Sequence, residues 1–149
     1  MKELQGHARA ELEQGPEECF ELLAAIEGYP TWFKPVREVE ILEPERNGTP
    51  GIARAAVHVP ESPFGTDFEL VMAVRTERPV EVTLTRVPRG PGDPDRLQLI
   101  WRVAGGASTQ LEIEFDAAAS FVPSFVPVGD AGDAIARAAI KAARKALTR

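Results

Sequence analysis

Hydrophobic and polar residues alternate along most of this 149-residue chain, while stretches near its two ends repeat apolar residues at helical spacing. The first alternating segment runs from Glu3 to Glu13, with Leu4, Ala8 and Leu12 on one face and charged residues on the other. Such alternation is typical of a half-buried β-strand. Later alternating segments predict further strands at 36–43, 52–59, 67–76, 80–87, 96–103 and 108–116.

Helix signals interrupt this pattern near both ends. Gly15-Pro16 opens the first helix, because proline is favoured at the first helical position, and residues 28–30 are predicted to end it. A second short helical turn is predicted within residues 31–35. The last helix is predicted to start at Asp130, as its N-cap, and to reach about Thr148.

These elements predict one α+β domain that spans residues 1–149. Consecutive strands on short connections form an antiparallel sheet, and the long last helix is the element long enough to cover its apolar face. The expected architecture is a seven-stranded curved antiparallel sheet wrapped around a long C-terminal helix, with two short helices after the first strand.

Three stretches of the chain resemble a known superfamily. GPEECFELL at 15–23, YPTWFKPV at 29–36 and VEIL at 39–42 are similar to the START/Bet v 1-like (SRPBCC) superfamily, and within it to the polyketide cyclase/dehydrase and coenzyme-Q-binding group. The resemblance implies a helix-grip fold with a cavity between the sheet and the long helix. Proteins of this kind include lipid and sterol carriers, quinone-binding proteins and aromatase/cyclases, so the resemblance does not select a function.

The inward faces of the strands, together with the helix, supply the predicted ligand-binding residues. They are almost entirely apolar, which favours an apolar ligand. The set comprises Trp32, Phe33, Ala55, Val57, Phe68, Leu70, Met72, Leu84, Leu99, Trp101, Ile113, Phe121, Phe125, Ile135 and Ala139. On the fifth strand, Val80 and Val82 are expected to face inward with Leu84.

Small side chains on both sides of the predicted interior leave room for a cavity. On the helix they are Ala138, Ala139, Ala142, Ala143 and Ala146. The alternative is a closed core in which the helix sits close to the sheet because its residues are small.

The aromatic residues outside the strands also allow two interpretations. Trp32 and Phe33 either cap the cavity mouth or anchor the short helices in the core. Phe121 and Phe125 either form a flexible portal or pack locally under their loop.

Few residues offer chemistry. His58 shares a strand face with Arg54, which alternation places on the solvent side; in the inverted register the pair would enter the cavity and could polarise a carbonyl. Cys19 is expected to be a buried structural cysteine. One cysteine and two histidines exclude a cysteine-based zinc site and a three-histidine site, so no metal or cofactor is expected.

The net charge of −6 is unevenly distributed, since residues 134–149 carry +5 and the rest of the chain −11. An acidic chain is not expected to bind nucleic acid. The basic residues at helical spacing, Arg137, Lys141, Arg144 and Lys145, indicate either transient contact with anionic lipid headgroups or a solvated face.

Neither a signal peptide nor an apolar run approaching the roughly 18–20 residues of a membrane span is visible. The sequence therefore predicts a soluble, cytoplasmic monomer or homodimer. Its first functional hypothesis is binding of a lipid, quinone or polyketide-like aromatic in a cavity between sheet and helix. The alternatives are a polyketide cyclase/dehydratase that uses polar cavity residues, and a non-catalytic regulatory interaction protein with a collapsed cavity.

Overall fold

The computed structural model describes residues 2–58, 67–119 and 129–148. Its helices are α1 (Pro16–Ala24), α2 (Tyr29–Trp32) and α3 (Ala131–Leu147), with a 3-10 turn at Ile26–Gly28. Its strands are β1 (Lys2–Leu12), β2 (Val36–Glu43), β3 (Gly51–His58), β4 (Asp67–Glu77), β5 (Glu81–Arg86), β6 (Arg96–Ala104) and β7 (Thr109–Ala119). The predicted order of elements is confirmed.

The strands of the described residues form one antiparallel sheet in the order β1-β7-β6-β5-β4-β3-β2. The first strand therefore pairs with the last, in register from Lys2 opposite Ala119 to Leu12 opposite Thr109. The helices pack on the inward face of this sheet, with α3 against β1 and β7 and α1 against β5 and β6. The helix-grip architecture that the alternation predicts is thus confirmed.

A pair of glycines sets how closely α3 approaches the sheet. A Cβ atom added to Gly132 would lie 2.0 Å from the Gln5 carbonyl oxygen, and one added to Gly6 would lie 2.0 Å from the Gly132 carbonyl oxygen. Next to this contact the His7 backbone N–H donates to the Asp133 carboxylate at 3.0 Å. The start of α3 therefore lies directly on the β1 backbone.

The other end of α3 is attached to the same strand. Arg144 Nη2 donates to the Glu11 carbonyl at 3.1 Å. The helix thus runs along β1 from Gly6 towards Glu11, with its buried stripe formed by Gly132, Ala136, Ala139, Ile140 and Ala143. Ala138 was expected on this stripe but is exposed, because two residues at 3.6 per turn place it about 200° around the helix from Ala136, on the opposite face.

Local chemistry near the helix ends corrects other expectations. The first helix ends at Ala24 and not at residues 28–30, and Pro30 instead occupies the first turn of α2, where its missing N–H is not needed. Asp130 occupies the N-cap position of α3 without capping through its side chain, which instead pairs with Arg137 at 3.4 Å.

The expected inward placement of Val80 is also wrong. Val80 lies in the turn before β5 and is 44% exposed, so it does not face inward.

Candidate binding site

Burial of the inward-facing side chains changes along the strands. At the end of the sheet near α1, the inward residues Val74, Val82, Val103, Leu111 and their neighbours are buried. Towards the opposite end the apolar inward residues of β3, β4 and β6 become half-buried, as does Phe115 on β7, while Ala117 beyond Phe115 is buried. We call this second region the open half; it comprises Ala55, Val57, Phe68, Leu70, Leu97, Leu99 and Phe115.

The packed end is closed by the helices that follow β1. Phe20 and Leu23 on α1 are fully buried, and Trp32 on α2 meets Trp101 on β6 edge-to-face, with ring centroids 6.4 Å apart. Tyr29 Oη donates to the Leu23 carbonyl at 2.6 Å, and burial raises the pKa of the Tyr29 hydroxyl. An apolar plug therefore fills this end of the space between sheet and helix.

The start of α3 borders the open half. Gly132 lies against Gln5 and Gly6, and Gly6 pairs with Phe115 of the open half. Ile135, one turn further along α3, is half-buried. The open half thus has a sheet wall and a helix wall, both apolar.

One charged side chain occupies an inward position in this region. Arg86 follows Val82 and Leu84 at the alternate positions of β5 and stands opposite Met72 of β4. Its side chain is only 9% exposed, and Nη2 donates to Asp93 Oδ2 at 2.8 Å while Nη1 donates to the Asp95 carbonyl at 2.8 Å. Arg86 is not among the residues that the sequence predicts for the site, although the same alternation reaches it two positions after Leu84.

Asp93 connects the loop between β5 and β6 to this arginine. Besides Arg86, its carboxylate accepts hydrogen bonds from the backbone N–H groups of Arg89 at 2.9 Å and Asp95 at 3.1 Å. The Arg86 guanidinium, followed by these N–H groups, holds the pKa of the Asp93 carboxyl well below its usual range. The loop is therefore fixed against the border of the open half.

We expect this connection to contribute to stability at neutral pH and to weaken in acid. A carboxyl whose pKa is lowered by folding stabilises the fold above its unfolded pKa of about 3.9, and the contribution is lost as the pH falls through the folded pKa. Asp93→Asn should therefore lower the free energy of unfolding at pH 7, and its difference from the unmodified protein should shrink below about pH 4. Urea unfolding across this pH range measures the difference, with exposed Glu13→Gln as the control. A difference that stays constant down to pH 3 would contradict the assignment.

The two residues considered for catalysis lie on the convex face. Arg54 Nη2 donates to Glu40 Oε2 at 2.5 Å, and His58 Nδ1 lies 2.5 Å from Asp67 Oδ1. Both occupy outward positions of β3, since Ala53 and Ala55 take the inward ones. The solvent-side placement predicted for His58 is confirmed, and the inverted register is excluded.

Other titratable groups do not add chemistry to the open half. Cys19 is buried, its Sγ lies 3.8 Å from the Gln14 carbonyl, and burial raises the pKa of its thiol. Among residues 2–58, 67–119 and 129–148, no group of three histidine, cysteine, aspartate or glutamate side chains could hold a metal ion. A groove of about 640 Å³ beside the β2–β3 turn is lined by charged and hydroxyl side chains, including Arg46 and Glu77, and does not suit an apolar ligand.

Comparison with protein-family models gives a match over residues 12–148, to the family described as polyketide cyclase/dehydrase and lipid transport. The chain belongs to this family. No curated protein matches the sequence significantly. The resemblance that residues 15–42 suggested is thereby confirmed.

Solved structures support the fold of this family member. A START superfamily protein from Mycobacterium smegmatis matches with a TM-score of 0.73 and 19% identity, covering 97% of each chain. The Zhui aromatase/cyclase from Streptomyces sp. R1128 matches with a TM-score of 0.71 and 17% identity, covering 99% of this chain and 95% of that one. Human STARD10 gives 0.69 and 14%, covering 97% of this chain and 63% of that one. At these identities the matches establish the fold alone.

The predicted ligand-binding residues of this family member fall into separate groups. Trp32, Met72, Leu84, Trp101, Ile113 and Ala139 are buried in the packed core. Phe33, Ala55, Val57, Phe68, Leu70, Leu99 and Ile135 are half-buried. Phe121 and Phe125 lie outside the described residues. The choice between a portal and local packing for these two residues therefore stays open.

No helix in the described part of the chain is long and apolar enough to cross a membrane.

Proposed function

We propose that this protein binds a hydrophobic small molecule, such as a lipid, quinone or polyketide-like aromatic, against the open half of its sheet. The observation that carries the proposal is the change in burial along the inward face. In β3, β4 and β6 the apolar inward residues pass from buried to half-buried along each strand, and on β7 Phe115 is half-buried although Ala117 beyond it is buried. Accessible apolar surface between a sheet and a helix favours an apolar occupant.

The packed end of the interior limits the positions that such a ligand can occupy. The plug formed by Phe20, Leu23, Trp32 and Trp101 fills the end near α1, so the ligand lies between this plug and the start of α3. Ala55, opposite Leu70 of β4, is the smallest side chain of the sheet wall and leaves the most room there.

An aromatase/cyclase among the structural matches keeps a second function under consideration. That function requires polar groups on the inward face. Arg54 and His58 point outward and are engaged with Glu40 and Asp67. The inward Arg86 does not replace them as an acid or base, because a guanidinium stays protonated. Binding without catalysis therefore has the better support.

Native mass spectrometry tests the proposal. Protein purified under mild conditions should carry an adduct that disappears when the same sample is denatured, and the emptied protein should bind a fluorescent lipid at a ratio near one. The third hypothesis, an interaction protein with a collapsed cavity, predicts neither. Failure to find any bound or bindable apolar ligand, with a crystal structure that has no space for one, would reject the proposal in favour of that hypothesis.

Contact of the basic helix face with a membrane stays a prediction, as do the oligomeric state and the cytoplasmic location. All of Arg137, Lys141, Arg144 and Lys145 are exposed, which both interpretations require. Arg137 is paired with Asp130 and Arg144 donates to the Glu11 carbonyl, so these two already have partners within the chain.

A further inference from the structure

Arg86 differs in burial from the arginines on the outer surface of the fold, of which some, such as Arg54 with Glu40, pair with one carboxylate and others with several. Each of three exposed arginines pairs with two or more carboxylates: Arg78 with Glu17 and Glu21, Arg96 with Glu3 and Asp116, and Arg102 with Glu81, Glu112 and Glu114. Their side chains are 40–57% exposed. Arg86 is 9% exposed, and among the described residues it pairs with the single carboxylate of Asp93.

Within the described part of the chain, the guanidinium of Arg86 has more donors than hydrogen-bond acceptors. A guanidinium carries five N–H donors in a fixed plane. Nη2 uses one on Asp93 and Nη1 uses one on the Asp95 carbonyl. The remaining three have no acceptor among residues 2–58, 67–119 and 129–148.

The position of Arg86 relates these donors to the open half. It is the inward position after Leu84, with Met72 opposite it on β4. Leu70 and Leu97 occupy the neighbouring inward positions of β4 and β6 in the open half, and both are half-buried and apolar. A charged donor thus stands at the border of a surface that otherwise offers only hydrocarbon.

We propose that Arg86 binds the carboxylate of an otherwise apolar ligand, so that the ligand is an amphiphilic carboxylic acid. This inference rests on the proposed function, because it needs a ligand body on the open half. A guanidinium pairs with a carboxylate through two parallel hydrogen bonds, and a second carboxylate would give Arg86 the arrangement that Arg78, Arg96 and Arg102 already have. Without such a partner, a carboxylate on the apolar wall would bind poorly.

Anthracene-2-carboxylate and its methyl ester test the inference, because they share the apolar body and differ in charge. Their affinities are measured by fluorescence titration, and the readout is the acid-to-ester affinity ratio. The unmodified protein should bind the acid at least as tightly as the ester. Arg86→Gln should lower the ratio by about tenfold or more while the ester affinity is retained, and Arg86→Lys should restore part of the preference.

Asp93→Asn distinguishes two roles of Arg86: binding the carboxylate of the ligand and holding the loop between β5 and β6. Removal of the competing carboxylate should raise the ratio if Arg86 receives the ligand, whereas mere loosening of the loop would weaken both probes together and leave the ratio unchanged. A ratio that is the same in the unmodified protein, Arg86→Gln and Asp93→Asn overturns the inference and leaves the proposed function standing. If neither probe binds the unmodified protein, the inference falls, whereas the proposed function is decided separately by native mass spectrometry and the fluorescent-lipid titration.

Discussion

Ala55→Trp is expected to abolish ligand binding while the protein stays folded. Ala55 lies inward on β3 opposite Leu70, where its side chain is half-buried and not part of the packed core. A tryptophan side chain has about 150–250 Å² of surface, and there it would occupy the space proposed for the ligand. The affinity for an apolar fluorescent probe should fall by at least about tenfold, which is 1.4 kcal/mol.

Ala56→Trp is the matched control, because it makes the same change one residue along the same strand. Ala56 occupies an outward position, opposite Glu69 of β4, so its tryptophan points away from the open half. Both variants should keep a cooperative unfolding transition, with stability reduced by no more than about 1–3 kcal/mol. Equal loss of binding in the two variants would place the ligand elsewhere.

The fold could be predicted because its signals are local and repeated. Alternation identified every strand of the described sheet within a few residues, and short connections left only antiparallel pairing between consecutive strands. Val80 was expected to face inward because the alternation of apolar residues continues into the turn before β5. Alternation alone does not show at which residue the hydrogen bonds of the β-sheet begin. Ala138 was misplaced because alanines occur all around this helix, so that side-chain hydrophobicity does not distinguish its buried face from its exposed one.

The candidate site was harder to predict, since it depends on how far each inward residue lies from the plug. Trp101 and Leu99 are both apolar and inward on β6, yet Trp101 is buried against Trp32 while Leu99 is half-buried. That difference arises from where α1 and α2 pack, which no strand pattern contains. Arg86 escapes prediction for another reason: a charged side chain is not expected at an inward position of an apolar wall, and its partner Asp93 lies in the loop seven residues further along the chain.

Gly132→Ala should destabilise the protein, against the usual effect of this change in a helix. Alanine in place of glycine ordinarily stabilises a helix by about 1 kcal/mol. Here the added Cβ would lie 2.0 Å from the Gln5 carbonyl oxygen and 3.0 Å from the Gln5 nitrogen, so either the start of α3 or β1 must move. We expect a net loss of about 1–3 kcal/mol in the free energy of unfolding, measured by urea titration.

Gly28→Ala provides the control, because a Cβ there meets nothing within 4 Å and the backbone already has a negative φ of −84°. Its stability should stay within about 0.5 kcal/mol of the unmodified protein. The contact at Gly132 also sets the distance between the helix wall and the sheet wall, since Ile135 follows it on α3 and Phe115 lies opposite Gly6. Displacing the start of α3 should therefore weaken probe binding in Gly132→Ala and leave it unchanged in Gly28→Ala. A stable Gly132→Ala protein with unaltered binding would mean that the glycine contact does not determine the width of the open half.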